Sequence, residues 1–528
     1  MKDYSILIGG AAGEGSKKAG LIIAKLFSSY GYQIYIYEDY QSLIKGGHNF
    51  SLIRASQRNN LGFREDLDFL IALNQDTLDK HKKKVRKDGL ILDSVQAQRI
   101  VKEYNGLPIM KNTALVAALA KTIGIKWLTV EKVLRQELPI ETDFNLKIAL
   151  KSYQETEQKI QIEKVSTKKR YLLSGNEAIA LGSLQAGLET YIAYPMTPST
   201  GILNYLASVK GITVVQPENE ISAVNMAIGC AFSGKKTMTG TSGGGFCLMN
   251  EGISLATQAE VPLVVVNGQR MGPSTGVPTY GGQSDLLHVL SSGHGDSLRF
   301  IVAPGDAEQA FFLSGLALSF SWKYQIPAII LSDKDLCEGT FSVDQLKSCS
   351  VKPELWHNKG EYLRYQKTKS GISPLAFPGN SKAVVKATSY EHDEKGIAVE
   401  DSYNIKEMQE KRKRKFLSLR KEVDQMKCVN VFGNQKSKKV LITWGSTKNP
   451  VIEAGEKKGL KIIQPLVVQP FPEKEIKKHL KGKLIVSIEN NSTGQMSQLL
   501  KQHGIKVDKE ILKYDGRCFT AKEIYGKI

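Results

Sequence analysis

Three things are scarce in this 528-residue sequence, and each narrows what the chain does. The six cysteines, Cys230, Cys247, Cys337, Cys349, Cys428 and Cys518, stand far apart, and no two form a C-x-x-C. That spacing argues against a zinc site or an iron–sulfur cluster held by this chain alone, and predicts buried, reduced thiols. No apolar run approaches the roughly 20 residues needed to span a bilayer. The start, Met1-Lys2-Asp3-Tyr4, passes directly into a strand and a glycine loop, without a signal-peptide core. A cytoplasmic protein with no membrane partner is expected. Acids are also in deficit: 72 Lys and Arg against 53 Asp and Glu leave a net charge of +19. Such a charge attracts nucleic acid, an acidic protein or an anionic cofactor. Lysines spread along the whole chain, so a solvated surface is favoured and no nucleic acid is expected. An acidic protein partner stays open.

What remains is a globular composition, 41% hydrophobic and 24% charged. The length suggests three or four domains. Short β-branched runs alternate with helical periodicities almost throughout, which predicts a multidomain α/β protein with parallel or mixed sheets covered by helices. The boundaries read as an α/β domain over 1–160, a basic linker over 161–171, and a second α/β domain over 172–345. An irregular connection ending in a charged helix follows over 346–436, then a last α/β domain over 437–528. In the second domain, strands are predicted at 190–193, 212–215, 236–240, 261–266, 299–302 and 327–331. The helix over 405–427 carries Lys411-Arg412-Lys413-Arg414-Lys415 with interleaved acids, and reads as solvated.

Two places carry candidate chemistry. Near the start, a strand runs into Gly9-Gly10-Ala11-Ala12-Gly13-Glu14-Gly15 and then a helix, a βαβ opening able to cradle a phosphate at the helix N-terminus. Gly10, Gly13 and Gly15 stand in the wrong order for the dinucleotide fingerprint, so anion binding and a purely structural turn remain equal readings. Lys45 and His48, on a second glycine loop, are candidates to meet an anionic ligand.

The other place is a set of polar loops between Tyr191 and Arg270. In an open parallel sheet, such loops gather at the carboxyl ends of the strands and form a crevice. Thr197-Pro198 reads as a helix start, with Thr at the N-cap and Pro at the first turn. Glu220 opens a strongly apolar helix; it serves the macrodipole or, buried, holds a proton near neutrality. Glu218 competes with it and reads as more exposed. Arg270 follows Val264-Val265-Val266 and suits bidentate capture of a carboxylate, or else an internal ion pair.

The order Asn176-Glu177-Ala178, Tyr194-Pro195-Met196-Thr197-Pro198-Ser199, Glu220, Thr241-Ser242-Gly243 and Gln269-Arg270-Met271-Gly272-Pro273-Ser274-Thr275-Gly276 resembles the alpha subunits of the 2-oxoacid:ferredoxin oxidoreductases. The resemblance spans essentially the whole chain. It implies a gamma-type first domain, a central thiamine-diphosphate pyrimidine-binding fold and a transketolase-C-terminal-like last domain. It further implies oxidative decarboxylation of a 2-oxoacid with CoA to acyl-CoA and CO2, reducing ferredoxin. Thiamine diphosphate would be shared with a beta subunit, which would carry Mg2+ and a 4Fe-4S cluster. Glu220 would then be catalytic, at the aminopyrimidine ring, with Thr197 and Arg270 on the substrate carboxylate; CoA contact by the glycine loop is plausible. No G-D-G with a spaced Asn is present, as an alpha chain should show. Gly244 and Cys518 stand where the family commonly has Pro. Glu391-His392-Asp393-Glu394 and Lys513-Tyr514-Asp515-Gly516-Arg517 resemble segments of the 2-oxoglutarate-type chains and favour that substrate over pyruvate or a branched-chain 2-oxoacid. A non-catalytic nucleotide-binding module is the alternative of another class.

Overall fold

The computed structural model describes residues 2–41, 47–59, 62–168 and 170–528. They divide into two compact units. The first comprises Met1–Leu173 with Glu338–Asp344 and Thr520–Ile524; the second holds Ser174–Cys337, Gln345–Phe519 and Tyr525–Ile528. Among the described residues, no helix is long and apolar enough to cross a membrane.

The first unit is built on a seven-stranded sheet in the order Val85–Leu92, Leu67–Ala72, Asp3–Ala11, His48–Ser56, Gln33–Asp39, Thr340–Val343 and Tyr171–Ser174. Asp3–Ala11 is parallel to Leu67–Ala72 and antiparallel to His48–Ser56, which is antiparallel in turn to Gln33–Asp39. The opening βαβ reading stands as a split unit: Asp3–Ala11 and Gln33–Asp39 run parallel, with His48–Ser56 inserted between them. Phe50-Ser51-Leu52-Ile53 is short and without clean alternation, and the glycines before it obscure the strand's start. The helix Ser16–Ser29 buries Ala19, Ile22, Ile23, Leu26 and Phe27. Lys111–Thr122 is buried nearly all round, as its run of alanines permits.

A histidine pair is sealed into this unit. His48 Nε2 lies 2.8 Å from His81 Nε2, with Phe50 packed on both rings. Burial, then the facing His48, pushes His81 down from 6.5 to about 4, with Lys84 and Lys80 adding to the shift and Asp76 opposing it. Burial and Lys80 lower His48 too. The folded chain thus refuses protons that the unfolded chain takes up below about pH 6.5. The pair's stability is intact above that pH and is lost as the pH falls toward about 4. Thermal melts should show the first unit losing about 1–3 kcal/mol across this window. An H48Q/H81Q variant should flatten the dependence; an unchanged slope would contradict the assignment.

The second unit holds two sheets. The larger runs in the order Val467–Gln469, Phe300–Val302, Pro327–Asp333, Leu263–Gln269, Thr237–Thr241, Thr190–Ile192 and Thr213–Val215. Its six consecutive members from Phe300–Val302 to Thr213–Val215 are all parallel, and all lie where the β-branched runs predict them. Val467–Gln469 joins antiparallel at the edge. The smaller sheet has five strands, with Val429–Gly433 and Lys509–Leu512 outermost; neither is evident from the sequence pattern.

The long helix Ser402–Val423 is not the solvated rod its composition suggests. Met408, Leu419 and Val423 are buried, and so are Lys411, Arg412 and Lys415. Lys411 Nζ donates to both oxygens of Glu260 at 2.8 Å, and Lys415 Nζ donates to Oε2. Burial alone would push the Glu260 carboxyl up, but the two ammonium groups outweigh it and hold it well below the usual range. Burial pushes Lys415 down to about 7 against the pull of Glu260. Glu391 pairs with Arg412, and His392 stacks on Tyr365 at 3.7 Å. The expectation of buried thiols holds for Cys337 and Cys428, whereas Cys247 is exposed and the other three are half-buried. Glu260→Gln leaves buried ammonium groups unmatched, and should cost about 3–5 kcal/mol in denaturant unfolding. Replacing Glu260, Lys411 and Lys415 together by Met should recover most of that loss. A mild effect of Glu260→Gln would show that water reaches the lysines.

Candidate active site

Four neighbouring strands of the large sheet end in the polar loops that the sequence singles out. Thr190–Ile192 leads to residues 194–199, Thr213–Val215 to 216–220, Thr237–Thr241 to 242–245, and Leu263–Gln269 to Arg270. Side chains tie these loops together. Arg270 Nη1 donates to the Thr197 carbonyl at 3.1 Å, and Asn176 Nδ2 to the Pro198 carbonyl at 2.9 Å. Two of the candidate substrate residues, Thr197 and Arg270, are thereby brought together.

Thr197 is not a helix cap, which corrects the sequence reading. The helix runs Thr200–Ala207 with Ser199 at its N-cap. The Thr197–Pro198 peptide is cis, and both Ser199 Oγ and the Ser199 amide turn back to the Met196 carbonyl. A closed turn therefore precedes the helix, and Thr197 belongs to the loop.

Glu220 begins the helix Glu220–Phe232, where Asn219 caps by accepting from the Ser222 amide at 2.9 Å. Glu220 is 3% exposed, while Glu218 is exposed and engaged with Ser222 Oγ. The helix is not buried all round: Ile221 and Met226 face outward, and Ala223, Val224 and Ala227 inward. Glu220 Oε1 is buried and has no hydrogen-bond partner among the described residues. Ser242 Oγ and Asn267 Oδ1 share that condition. A buried acceptor left unpaired costs about 1–3 kcal/mol and calls for an explanation. Gly245 packs directly on the carboxylate: a Cβ there would overlap both Glu220 Oε1 and Thr241 Oγ1. Asp285, absent from the sequence-based candidates, is a second carboxylate tied to these loops. It accepts from Asn267 Nδ2 at 3.1 Å, its amide donates to Gln269 Oε1 at 3.0 Å, and burial raises its carboxyl. A Cβ at Gly243 would overlap it. Its signal is its place just after Gly281-Gly282, in a loop with no regular periodicity.

The Lys513–Arg517 segment reaches this neighbourhood. Gly516 accepts from the Gly281 amide at 3.1 Å, and the Arg517 guanidinium lies 3.6 Å from the Tyr280 ring centre. The Glu391–Glu394 segment instead packs near Gln258, Glu260 and Arg412, before the strand that ends at Arg270.

The glycine loop lies in the first unit. Gly13 and Gly15 have φ of 90° and 77°, and Gly15 is the N-cap of the helix Ser16–Ser29. Glu14 folds back into the turn, accepting from the Ala11 amide at 2.6 Å, Asn74 Nδ2 at 2.8 Å and Lys111 Nζ at 2.6 Å. A Cβ at Gly10 would overlap Glu14 Oε2. His48 is buried in its pair with His81, and Lys45 lies outside the described residues.

Comparison with known proteins gives this arrangement its class. Residues 181–412 match the family described as "Pyruvate flavodoxin/ferredoxin oxidoreductase, thiamine diP-bdg", and residues 5–155 the family "Pyruvate ferredoxin/flavodoxin oxidoreductase". The class is thus an oxidoreductase chain with a thiamine-diphosphate-binding domain. The 2-oxoacid:ferredoxin oxidoreductase subunit alpha of Saccharolobus solfataricus is 30% identical, over 98% of this chain and 96% of that protein. A 2-oxoglutarate synthase subunit KorA of Methanothermobacter thermautotrophicus is 31% identical, over 68% of this chain and 98% of its own. A solved 2-oxoglutarate:ferredoxin oxidoreductase from Magnetococcus marinus, with 2-oxoglutarate, coenzyme A and succinyl-CoA bound, superposes with a TM-score of 0.91. It is 29% identical and covers 100% of this chain and 99% of that one. The chain belongs to the family of 2-oxoacid:ferredoxin oxidoreductase alpha subunits.

The residues fit a thiamine diphosphate pyrimidine ring. A buried, unpartnered carboxylate oxygen suits a ring nitrogen that carries a proton, and Gly245 leaves room for that oxygen to lie where it does. Glu220→Gln should preserve the fold and lower turnover of the assembled enzyme about 10²- to 10⁴-fold, with Glu218→Gln far milder. Gly245→Ala should act in the same direction by displacing Glu220. Equal, mild effects at Glu218 and Glu220 in steady-state assays would reduce Glu220 to a helix-start residue.

Proposed function

We propose that this chain is the alpha subunit of a 2-oxoglutarate:ferredoxin oxidoreductase, which converts 2-oxoglutarate and CoA to succinyl-CoA and CO2. The observation that carries the catalytic part is the unpartnered, buried Glu220 Oε1. The substrate part is supported by the 2-oxoglutarate relatives and by the place of Lys513–Arg517 beside the loop that follows Arg270.

Thiamine diphosphate supplies, when bound, the carbon nucleophile and electron sink that 2-oxoacid decarboxylation requires. Glu220 Oε1, buried from water, would accept a hydrogen bond from a pyrimidine nitrogen of the bound cofactor. Arg270 meets the carboxylate beside the substrate ketone, and the Thr197 hydroxyl donates to the same end. Arg270 is positioned for this by its bond to the Thr197 carbonyl. The chain acts only with a beta subunit that holds Mg2+ and a 4Fe-4S cluster and passes electrons to ferredoxin. The unit carrying Gly10, Gly13 and Gly15 serves as a gamma-type domain that meets CoA, with Lys45 contributing charge. His48, buried in its pair with His81, would not meet CoA directly. Glu14 already takes the Ala11 amide, so CoA phosphates would meet the first amides of the helix Ser16–Ser29 instead.

Co-expression with a beta chain and a panel of 2-oxoacids tests the reading. The complex is expected to prefer 2-oxoglutarate, and the isolated alpha chain to be inactive. Arg270→Met should lower kcat/KM about a hundredfold or more for every 2-oxoacid and leave thiamine binding intact, with Lys a partial substitute at best. A strong preference for pyruvate would overturn the substrate, and normal rates in Arg270→Met would overturn that residue's role.

A further inference from the structure

The first unit carries a second feature, remote from its glycine loop. A groove of about 1360 Å³ opens at the C-terminal end of the helix Ser16–Ser29, beside Lys25, Ser28 and Tyr30. The glycine turn caps the other end of that helix, about 20 Å away at 1.5 Å per residue. The groove is therefore a separate surface.

Its lining holds Lys25, Lys126, Lys132, Lys164 and Arg170 and no carboxylate. Lys25 shares Glu137 with Lys18, and Arg170 shares Asp344 with Lys168, so both ends keep excess positive charge. Lys126, Lys132 and Lys164 are exposed and make no ion pair among the described residues. Three uncompensated ammonium groups on one groove repel each other unless something negative fills it. Apolar side chains stand between them: Leu128 is 78% exposed and Tyr171 74%, above a floor of Val133, Ile162 and Tyr153. Large apolar side chains left this open, and rimmed by charge, mark contact surfaces.

We propose that this groove docks an acidic polypeptide segment, with carboxylates on the three lysines and an apolar side chain on Leu128 and Tyr171. The chemistry favours polypeptide over nucleic acid. Its free cations are lysines, which act as point charges, and its one arginine is committed to Asp344 and the Gly31 carbonyl. The alternation of charged and aliphatic side chains matches an amphipathic acidic peptide better than a phosphate backbone.

The test uses the full chain and a short fluorescent peptide of alternating Glu and Leu, read by anisotropy. K126E/K132E/K164E should weaken binding about tenfold to a hundredfold, and Leu128→Ser severalfold. Raising salt from about 0.1 to about 1 M shortens the screening length from about 10 to about 3 Å, and should weaken binding in parallel. K359E/K382E/K436E, at exposed lysines of the second unit, lowers the net charge equally and should leave binding unchanged. K126Q/K132Q/K164Q repeats the test without introducing repulsion, should folding of the reversed variant fail. Undiminished binding in the groove variants, or equal loss in the control, overturns the proposal. So does a groove-dependent affinity for single-stranded oligonucleotide or phosphatidylserine vesicles that exceeds the peptide's.

Discussion

Glu260 lies wholly buried between the ammonium groups of Lys411 and Lys415, and much of the second unit is arranged around that contact. It stands in the turn just before the strand Leu263–Gln269, in a left-handed conformation with φ of 48°. Arg364 donates to its carbonyl at 2.7 Å, and Tyr365 Oη to the neighbouring Ala259 carbonyl at 3.1 Å. The irregular stretch after residue 345 and the long helix Ser402–Val423 are both fastened to the large sheet here. Their low periodicity makes this necessary: without a regular apolar face, the segment is held by matched charges and hydrogen bonds.

Glu220 is the counterpart that is not matched. Both carboxylates are almost fully buried in one unit, yet only Glu260 has its protein partners in place. A buried acceptor without a protein partner calls for an explanation, and a ligand that brings the missing donor is one. The strand that starts near Glu260 ends at Gln269, so the paired carboxylate anchors the strand that leads to Arg270 and, through Arg270, to the loop of Thr197. Gly245 and Gly243 leave room for Glu220 and Asp285.

The sheet was legible in the sequence because its parallel strands, buried on both faces, read as short unbroken β-branched runs such as Val264-Val265-Val266. The loops between them were legible as polar clusters, and Glu220 as an acid opening an apolar helix. Other features were hidden for physical reasons. The partners of Lys411 and Lys415 are about 150 residues away in sequence, so a charged helix with no visible acids for its buried face looks solvated. Ser199 rather than Thr197 caps its helix because a turn on Met196 intervenes, which no local propensity reports. Strand His48–Ser56 inserts between two others by long-range pairing, and Asp285 enters the site from an aperiodic loop.

On the proposed reading, Glu220 Oε1 is kept unpaired for a ring nitrogen of thiamine diphosphate. The direct measurement is an experimental structure of the alpha–beta complex with that cofactor bound. The expected result is a pyrimidine nitrogen within hydrogen-bond distance of Glu220 Oε1, about 2.6–3.2 Å. A pyrimidine held elsewhere, with Glu220 facing solvent or paired to a protein donor, would contradict it.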